Sequence, residues 1–231
     1  MRIAAWNANY NNRRRSLETD AEFMDAERAD LIVLSETARP KDRDDDQIRW
    51  LGNEGDPGLG VIARNGYTLS AHEMNCTAPA LFGAFRVQGP RPLNVLAAWP
   101  VQETRSAGPS YATLLQTALE IFGDFLREER VAMIGDLNSS SRVVAQATTH
   151  PNFVSRAAAL GLTSLYHHQN KEAHGKEKVL TYRHRGSAEN GFHLDYCFLS
   201  QDLLASAKIR VLQGADWEAR SDHFPLIVDL A

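Results

Sequence analysis

Cysteine is scarce. The chain has two in 231 residues, Cys76 and Cys197, which offer neither a disulfide framework nor a metal-ligand spacing. Cys197 lies inside the apolar run Leu194 to Leu199, where a buried thiol is expected. No apolar run approaches the roughly 20 residues of a membrane span, so no membrane partner is expected. The start also lacks the apolar stretch of a secretion signal, since Met1-Arg2-Ile3-Ala4-Ala5-Trp6 enters a strand pattern at once. The expected location is cytoplasmic, unless a leader has been removed. A positive surplus is missing too: 25 Lys and Arg stand against 29 Asp and Glu, a formal net charge of −4. That argues against a surface coated in basic charge for nucleic acid and leaves room for a local basic groove. Repeats, low-complexity tracts and linkers are absent, so residues 1–231 read as one domain and a monomer is expected. A chain of this length, 43% hydrophobic, can bury its core without staples.

What is there alternates between two periodicities. Residues 2–6 and 31–34 are apolar runs suited to buried strands. Residues 17–29 set Leu17, Phe23, Met24 and Ala26 among charges, an amphipathic helix pattern. Residues 37–58, with Asp42, Asp44, Asp45 and Asp46, read as a solvated polar loop because a calcium-loop spacing is missing. Runs at 59–63, 67–72, 80–87 and 93–98, separated by Gly, Pro and Asn, predict an antiparallel meander. Helices are predicted over 110–129 and 151–160, and further strands at 131–134, 179–182, 192–199, 207–211 and 224–230. Many strands with few helices predict an α/β fold in which two sheets pack face to face with helices outside.

Polar groups punctuate the ends of these strands. Asn7 and Asn9 follow the first, and Glu36 follows Leu31 to Ser35. Asp136 and Asn138 flank Leu137, so the two polar groups can face an opening while the leucine enters the core. Asp195 is embedded in an apolar strand, and a buried acid needs a partner. His223 is the natural one, because a carboxylate that accepts the imidazole N–H fixes its tautomer and raises its basicity. Asp222 stands beside it at the mouth of the final strand.

Five blocks occur in order: Trp6-Asn7-Ala8-Asn9, Leu34-Ser35-Glu36-Thr37, Gly135-Asp136-Leu137-Asn138, His193-Leu194-Asp195-Tyr196 and Ser221-Asp222-His223-Phe224-Pro225. Together they resemble the endonuclease/exonuclease/phosphatase superfamily, which includes exonuclease III, the AP endonucleases, DNase I and inositol-phosphate 5-phosphatases. The resemblance runs from Met1 to Ala231. It implies a four-layer α/β/β/α sandwich and phosphoester hydrolysis with Mg2+ or Mn2+. It makes Glu36 the main metal ligand, with Asp222 and Asn9 beside it. Asn7 and Asn138 would contact phosphate or order the site. Asp136 would orient or deprotonate the attacking water. His223, held by Asp195, would hydrogen-bond the phosphoryl oxygen and stabilise charge that grows in the transition state. Asn9 stands where the nearest nucleases often carry Asp. Ala98 and Val101, aligned on Pro100, stand where relatives carry Tyr or His and then Asn, so abasic-site specificity does not carry over.

Two local features favour DNA as substrate. Arg13, Arg14 and Arg15 follow the Asn7/Asn9 loop. Residues 167–185 hold Lys171, Lys176, Lys178, Arg183 and Arg185 against Glu172 and Glu177, with His167, His168, His174 and His184 interleaved. These basic groups could track phosphates, while Trp99, Tyr111, Tyr182 or Phe192 supply aromatic or phosphate contacts. The histidine spacing is too loose for a zinc motif, which favours a basic loop. The expected activity is a DNA-hydrolysing nuclease, exonuclease III-like or a weakly specific endonuclease. A small-molecule phosphatase or phosphodiesterase of the same superfamily is the alternative, and a non-catalytic binding protein ranks below both.

Overall fold

The computed structural model describes residues 1–10, 15–40, 46–72, 81–102, 109–187 and 190–231. The strands are β1 (Arg2–Asn7), β2 (Leu31–Thr37), β3 (Ile48–Leu51), β4 (Gly58–Ala63), β5 (Thr68–Ala71), β6 (Phe82–Gln88), β7 (Leu93–Ala98), β8 (Val131–Asp136), β9 (Leu162–Ser164), β10 (Asp195–Ser200), β11 (Ala207–Val211) and β12 (Leu226–Leu230). The helices are α1 (Leu17–Glu22), α2 (Tyr111–Ile121), α3 (Gly123–Leu126), α4 (Thr149–Ala159), α5 (Leu165–Asn170), α6 (Gln201–Leu204) and α7 (Ala215–Glu218). Among the described residues, the first sheet runs β11-β12-β1-β2-β4-β3 and the second β5-β6-β7-β8-β10-β9.

Side-chain alternation explains the layering. Ile3 and Ala5 of β1, Leu31 and Val33 of β2, Val95 and Ala97 of β7, and Ala132 and Ile134 of β8 meet between the sheets. The intervening Ala4, Trp6, Ile32 and Leu34 turn the other way, onto Leu17, Ala21 and Met24. Leu96, Met133 and Phe198 of the second sheet likewise cover Leu115, Phe125 and Phe153. Each central strand is buried on both faces, which is why it reads as an unbroken apolar run. The result is the expected α/β/β/α order. Cys197 is a buried free thiol in β10.

Each sheet contains one parallel pair, and this pair positions the site. β1 and β2 are parallel and joined through α1, and β7 and β8 are parallel and joined through α2. Both helices start at a serine cap: Ser16 accepts from the Thr19 N–H and Ser110 from the Thr113 N–H, each at 3.2 Å. Polar residues gather outside the carboxyl ends of such strands, and Asn7, Glu36 and Asp136 sit there.

Several expectations need correction. β3 lies inside the stretch 37–58 that read as loop. It is an edge strand in which only Ile48 is buried, while Arg49, Trp50 and Leu51 are half-buried. Asp42, Asp44 and Asp45 lie outside the described residues, as does Cys76. The meander is β5-β6-β7 alone, because β4 pairs with β2 and β3 in the first sheet. Residues 179–182 form isolated bridges from Tyr182 rather than a strand. No helix among the described residues is long and apolar enough to cross a membrane.

Gly135 shows how tightly β7 and β8 approach next to the site. Its φ is +144°, and a Cβ there would fall 2.0 Å from the Ala98 carbonyl oxygen. Gly135→Ala should therefore destabilise the fold by about 2–3 kcal/mol through backbone strain and overpacking. Urea unfolding checks this, and a variant as stable as the parent would contradict it.

Candidate active site

Asn7 is the centre of the arrangement. Its amide nitrogen donates to Glu36 Oε1 at 3.1 Å and to Asp136 Oδ2 at 2.9 Å. With both amide hydrogens so engaged, the side chain orders two carboxylates instead of reaching outward for phosphate. Its Oδ1 accepts the Asn9 backbone N–H at 3.0 Å, a turn in which Asn9 takes φ +55°. Asn9 then donates its amide to Asp222 Oδ1 at 2.7 Å. Residues 7–9 thus connect Glu36, Asp136 and Asp222.

Glu36 is aimed by a bulge. The register of β2 against β4 shifts between Leu34 and Thr37, and Glu36 adopts φ +49° within that shift. Burial pushes its carboxyl above the usual range, against the Asn7 hydrogen bond and the nearby His223. Asp136 is also raised by burial, with His223 opposing and Asp195 adding to the rise. It accepts the Asn138 backbone N–H at 2.9 Å, with Asn138 at φ +50° beyond the end of β8. The Asn138 amide reaches the Pro100 carbonyl at 3.3 Å.

The imidazole side is built separately. His223 Nδ1 lies 2.9 Å from Asp195 Oδ2, and its Nε2 lies 3.9 Å from Asp136 Oδ2. Burial alone would lower the His223 pKa, but the carboxylates of Asp195 and Asp136 outweigh it and hold the ring protonated. Asp195 and Asp136 are register partners on β10 and β8. Thr181 Oγ1 accepts the Leu194 and Asp195 N–H groups at 2.9 and 3.0 Å. Ser221 Oγ donates to the Asn7 carbonyl at 2.8 Å and accepts the His223 N–H at 3.1 Å. Trp6 Nε1 donates to the His223 carbonyl at 3.0 Å. Reading the sequence for site residues missed Thr181, Ser221 and Trp6. Two of them stand inside the quoted blocks, while Thr181 gives no local signal.

The expected substrate contacts divide. Tyr182 and Phe192 are half-buried and stacked, with ring centroids 6.4 Å apart, and Tyr182 lies 4.7 Å from the His223 ring. Trp99 is corrected: it is 5% exposed and belongs to the core between the sheets. Arg15 is corrected as well, because its guanidinium turns inward to Asp20 and to the carbonyls of Ala8 and Arg220. Arg183 clamps the final loop through Glu218 and the Ser221 carbonyl. Both arginines hold the rim in place. Tyr111 opens α2, half-buried. Arg13 and Arg14 lie outside the described residues.

Comparison with solved structures finds the same fold elsewhere. A 3′ phosphatase, NExo from Neisseria, bound to a product DNA hairpin, superposes with a TM-score of 0.74 at 18% identity, over 100% of this chain and 99% of that one. An AP endonuclease from Archaeoglobus fulgidus gives 0.72 at 17% identity, over 100% and 99%. The endonuclease domain of TRAS1, a telomere-specific non-LTR retrotransposon, gives 0.68 at 13%, over 99% and 97%. The chain has the endonuclease/exonuclease/phosphatase fold. No family model matches the sequence. No curated protein matches it either.

The three residues expected to hold a metal would fit a hard divalent cation. Glu36, Asp222 and the Asn9 amide are oxygen donors without thiolate among them. A desolvated Glu36 carboxylate also gains most from a cation, because burial opposes its charge. The sign follows from the raised pKa. The folded state holds the Glu36 proton more tightly, so metal-free stability falls as pH rises above 4.5 towards the raised folded value. At pH 7 with chelator, Glu36→Gln should therefore melt above the parent. Mg2+ should stabilise the parent, by about 2.7 kcal/mol at a hundredfold excess over Kd, and leave E36Q nearly unmoved. Calorimetry decides, and an equal Mg2+ shift in E36Q would remove Glu36 from the metal side.

Proposed function

We propose that this protein is a divalent-metal-dependent DNA nuclease, acting as a monomeric single domain with Mg2+ or Mn2+. The observation that carries this reading is the opposition of Asp136 and His223 across 3.9 Å, each fixed from behind. Asn7 and Asn138 hold Asp136, and Asp195 holds His223. That separation exceeds a hydrogen bond, so the two groups can act on one substrate oxygen or water between them.

Asp136 is the group to orient the attacking water and take its proton. Burial has already raised its affinity for a proton, as a general base near neutral pH requires. His223, charged and with Nε2 facing the gap, donates to the phosphoryl oxygen where charge grows. Glu36, Asp222 and Asn9 would hold the cation, which would neutralise phosphate charge when bound. Tyr182 and Phe192 form an aromatic wall beside His223 on which a base can stack. The Neisseria neighbour bound to a DNA hairpin supports a polynucleotide substrate.

End-labelled single-stranded, double-stranded, nicked and abasic DNA, with RNA controls, should be tested with each metal. DNA cleavage that stops with chelator is expected. Asp136→Ala and His223→Ala should each lower the rate roughly 10²–10⁴-fold while folding is retained. Intact nucleic acids alongside hydrolysis of a small phosphate ester would favour the phosphatase reading instead.

A further inference from the structure

A second polar cluster lies away from the catalytic groups. His167 from α5 and His174 and Glu177 from the following loop bring ligand atoms within 4.8 Å of one another. The His167 and His174 rings stack, with centroids 3.5 Å apart and planes 14° apart. The Glu177 side chain is fully buried and that of His167 nearly so. His150 and His193, both fully buried, adjoin the cluster.

Protons alone do not satisfy this cluster. His167 Nε2 lies 3.0 Å from Glu177 Oε1, which also accepts the Gly175 N–H at 2.7 Å. Glu177 Oε2, however, is buried with no partner, and so is His193 Nε2. The His193 Nδ1 faces the Val179 carbonyl at 3.0 Å, so it must be the protonated nitrogen. Its Nε2 is then a lone pair with no donor. A buried carboxylate oxygen and a buried imidazole lone pair thus both lack a positive partner.

The other ring nitrogens carry outer supports. His167 Nδ1 meets Ser164 Oγ at 2.8 Å. His174 Nδ1 meets His150 Nε2 at 3.1 Å, and His150 Nδ1 meets Ser139 Oγ at 2.9 Å. Ligating imidazoles are supported in this way, with one nitrogen hydrogen-bonded and the other turned to an ion. Burial also lowers the pKa of His174 to about 3 and of His150 and His193 to about 4, which leaves the rings neutral. Ligands on one tetrahedral ion stand roughly 3.4 Å apart, so small side-chain rotations close the set.

We propose that His167, His174 and Glu177 bind one structural zinc-type divalent ion, with His193 Nε2 the candidate for the fourth position. Nitrogen-rich donors suit zinc and distinguish this centre from the all-oxygen set at Glu36. The ion would staple the loop 171–179 to α5. That loop leads to Thr181, which holds Asp195, and to Tyr182, which flanks His223. The expectation of a solvated basic loop holds for His168 and His184, which are exposed, and fails for His167.

The test loads purified protein with zinc chloride, desalts it and counts metal by mass spectrometry. The parent should retain about one Zn2+ per chain. Glu36→Gln/Asp222→Asn, which lacks the oxygen centre, should retain the same amount. His174→Ala/Glu177→Gln should lose it, with circular dichroism reporting its fold. Zn2+ titration into histidine-labelled parent, followed by nuclear magnetic resonance, needs no variant and should shift the His167 and His174 ring signals. A parent that holds less than roughly a tenth of an equivalent would overturn the proposal. So would loss of zinc from E36Q/D222N, its retention in H174A/E177Q, or unmoved His167 and His174 signals.

Discussion

One amide holds the active centre together. Asn7 stands between the buried Asp136 and the half-buried Glu36, two carboxylates that would otherwise repel, and gives one N–H to each. The bridge also crosses the sandwich: Asn7 and Glu36 come from the first sheet, while Asp136 comes from the second. His223 repeats the crossing, since it leads into β12 of the first sheet and is held by Asp195 of the second. The geometry of the candidate site is therefore set by how the two sheets stack. The apolar layer between them is as much a part of the site as the polar groups on its rim.

The electrostatics are lopsided by design of the fold. The imidazole half carries its own counter-charge, because Asp195 and Asp136 keep His223 protonated against burial. The Glu36 half does not, and burial works against its ionisation. At identities of only 13–18%, the solved structures share the fold of this chain.

Much of this was legible in the sequence. Central strands buried on both faces announce themselves as apolar runs; Asn7, Glu36 and Asp136 stand where such runs stop, and Asp222 just before one begins. Asp195 was conspicuous because an acid inside an apolar strand demands a partner. Edge structure was less visible: β3 carries Arg49 and Trp50 on a half-exposed strip that reads as loop. Residue type misled at Trp99, Arg15 and Arg183, since an aromatic or a cation near the site can equally be packing or bracing it. The histidine cluster was half visible. His167 and His174 stood out, but their loose spacing read as a basic loop, and no linear spacing encodes the arrival of His150 and His193 from distant segments.

The pairing of β1 with β12 has a temporal consequence. Asn9 meets Asp222 across 213 positions of sequence, and Trp6 meets His223 across 217. During synthesis the early strands can begin to assemble long before those partners leave the ribosome. The first sheet then lacks the strand beside β1, and neither Asp222 nor His223 is in place. The polar cluster of a growing chain is thus incomplete until the segment around residues 221–230 closes the sheet.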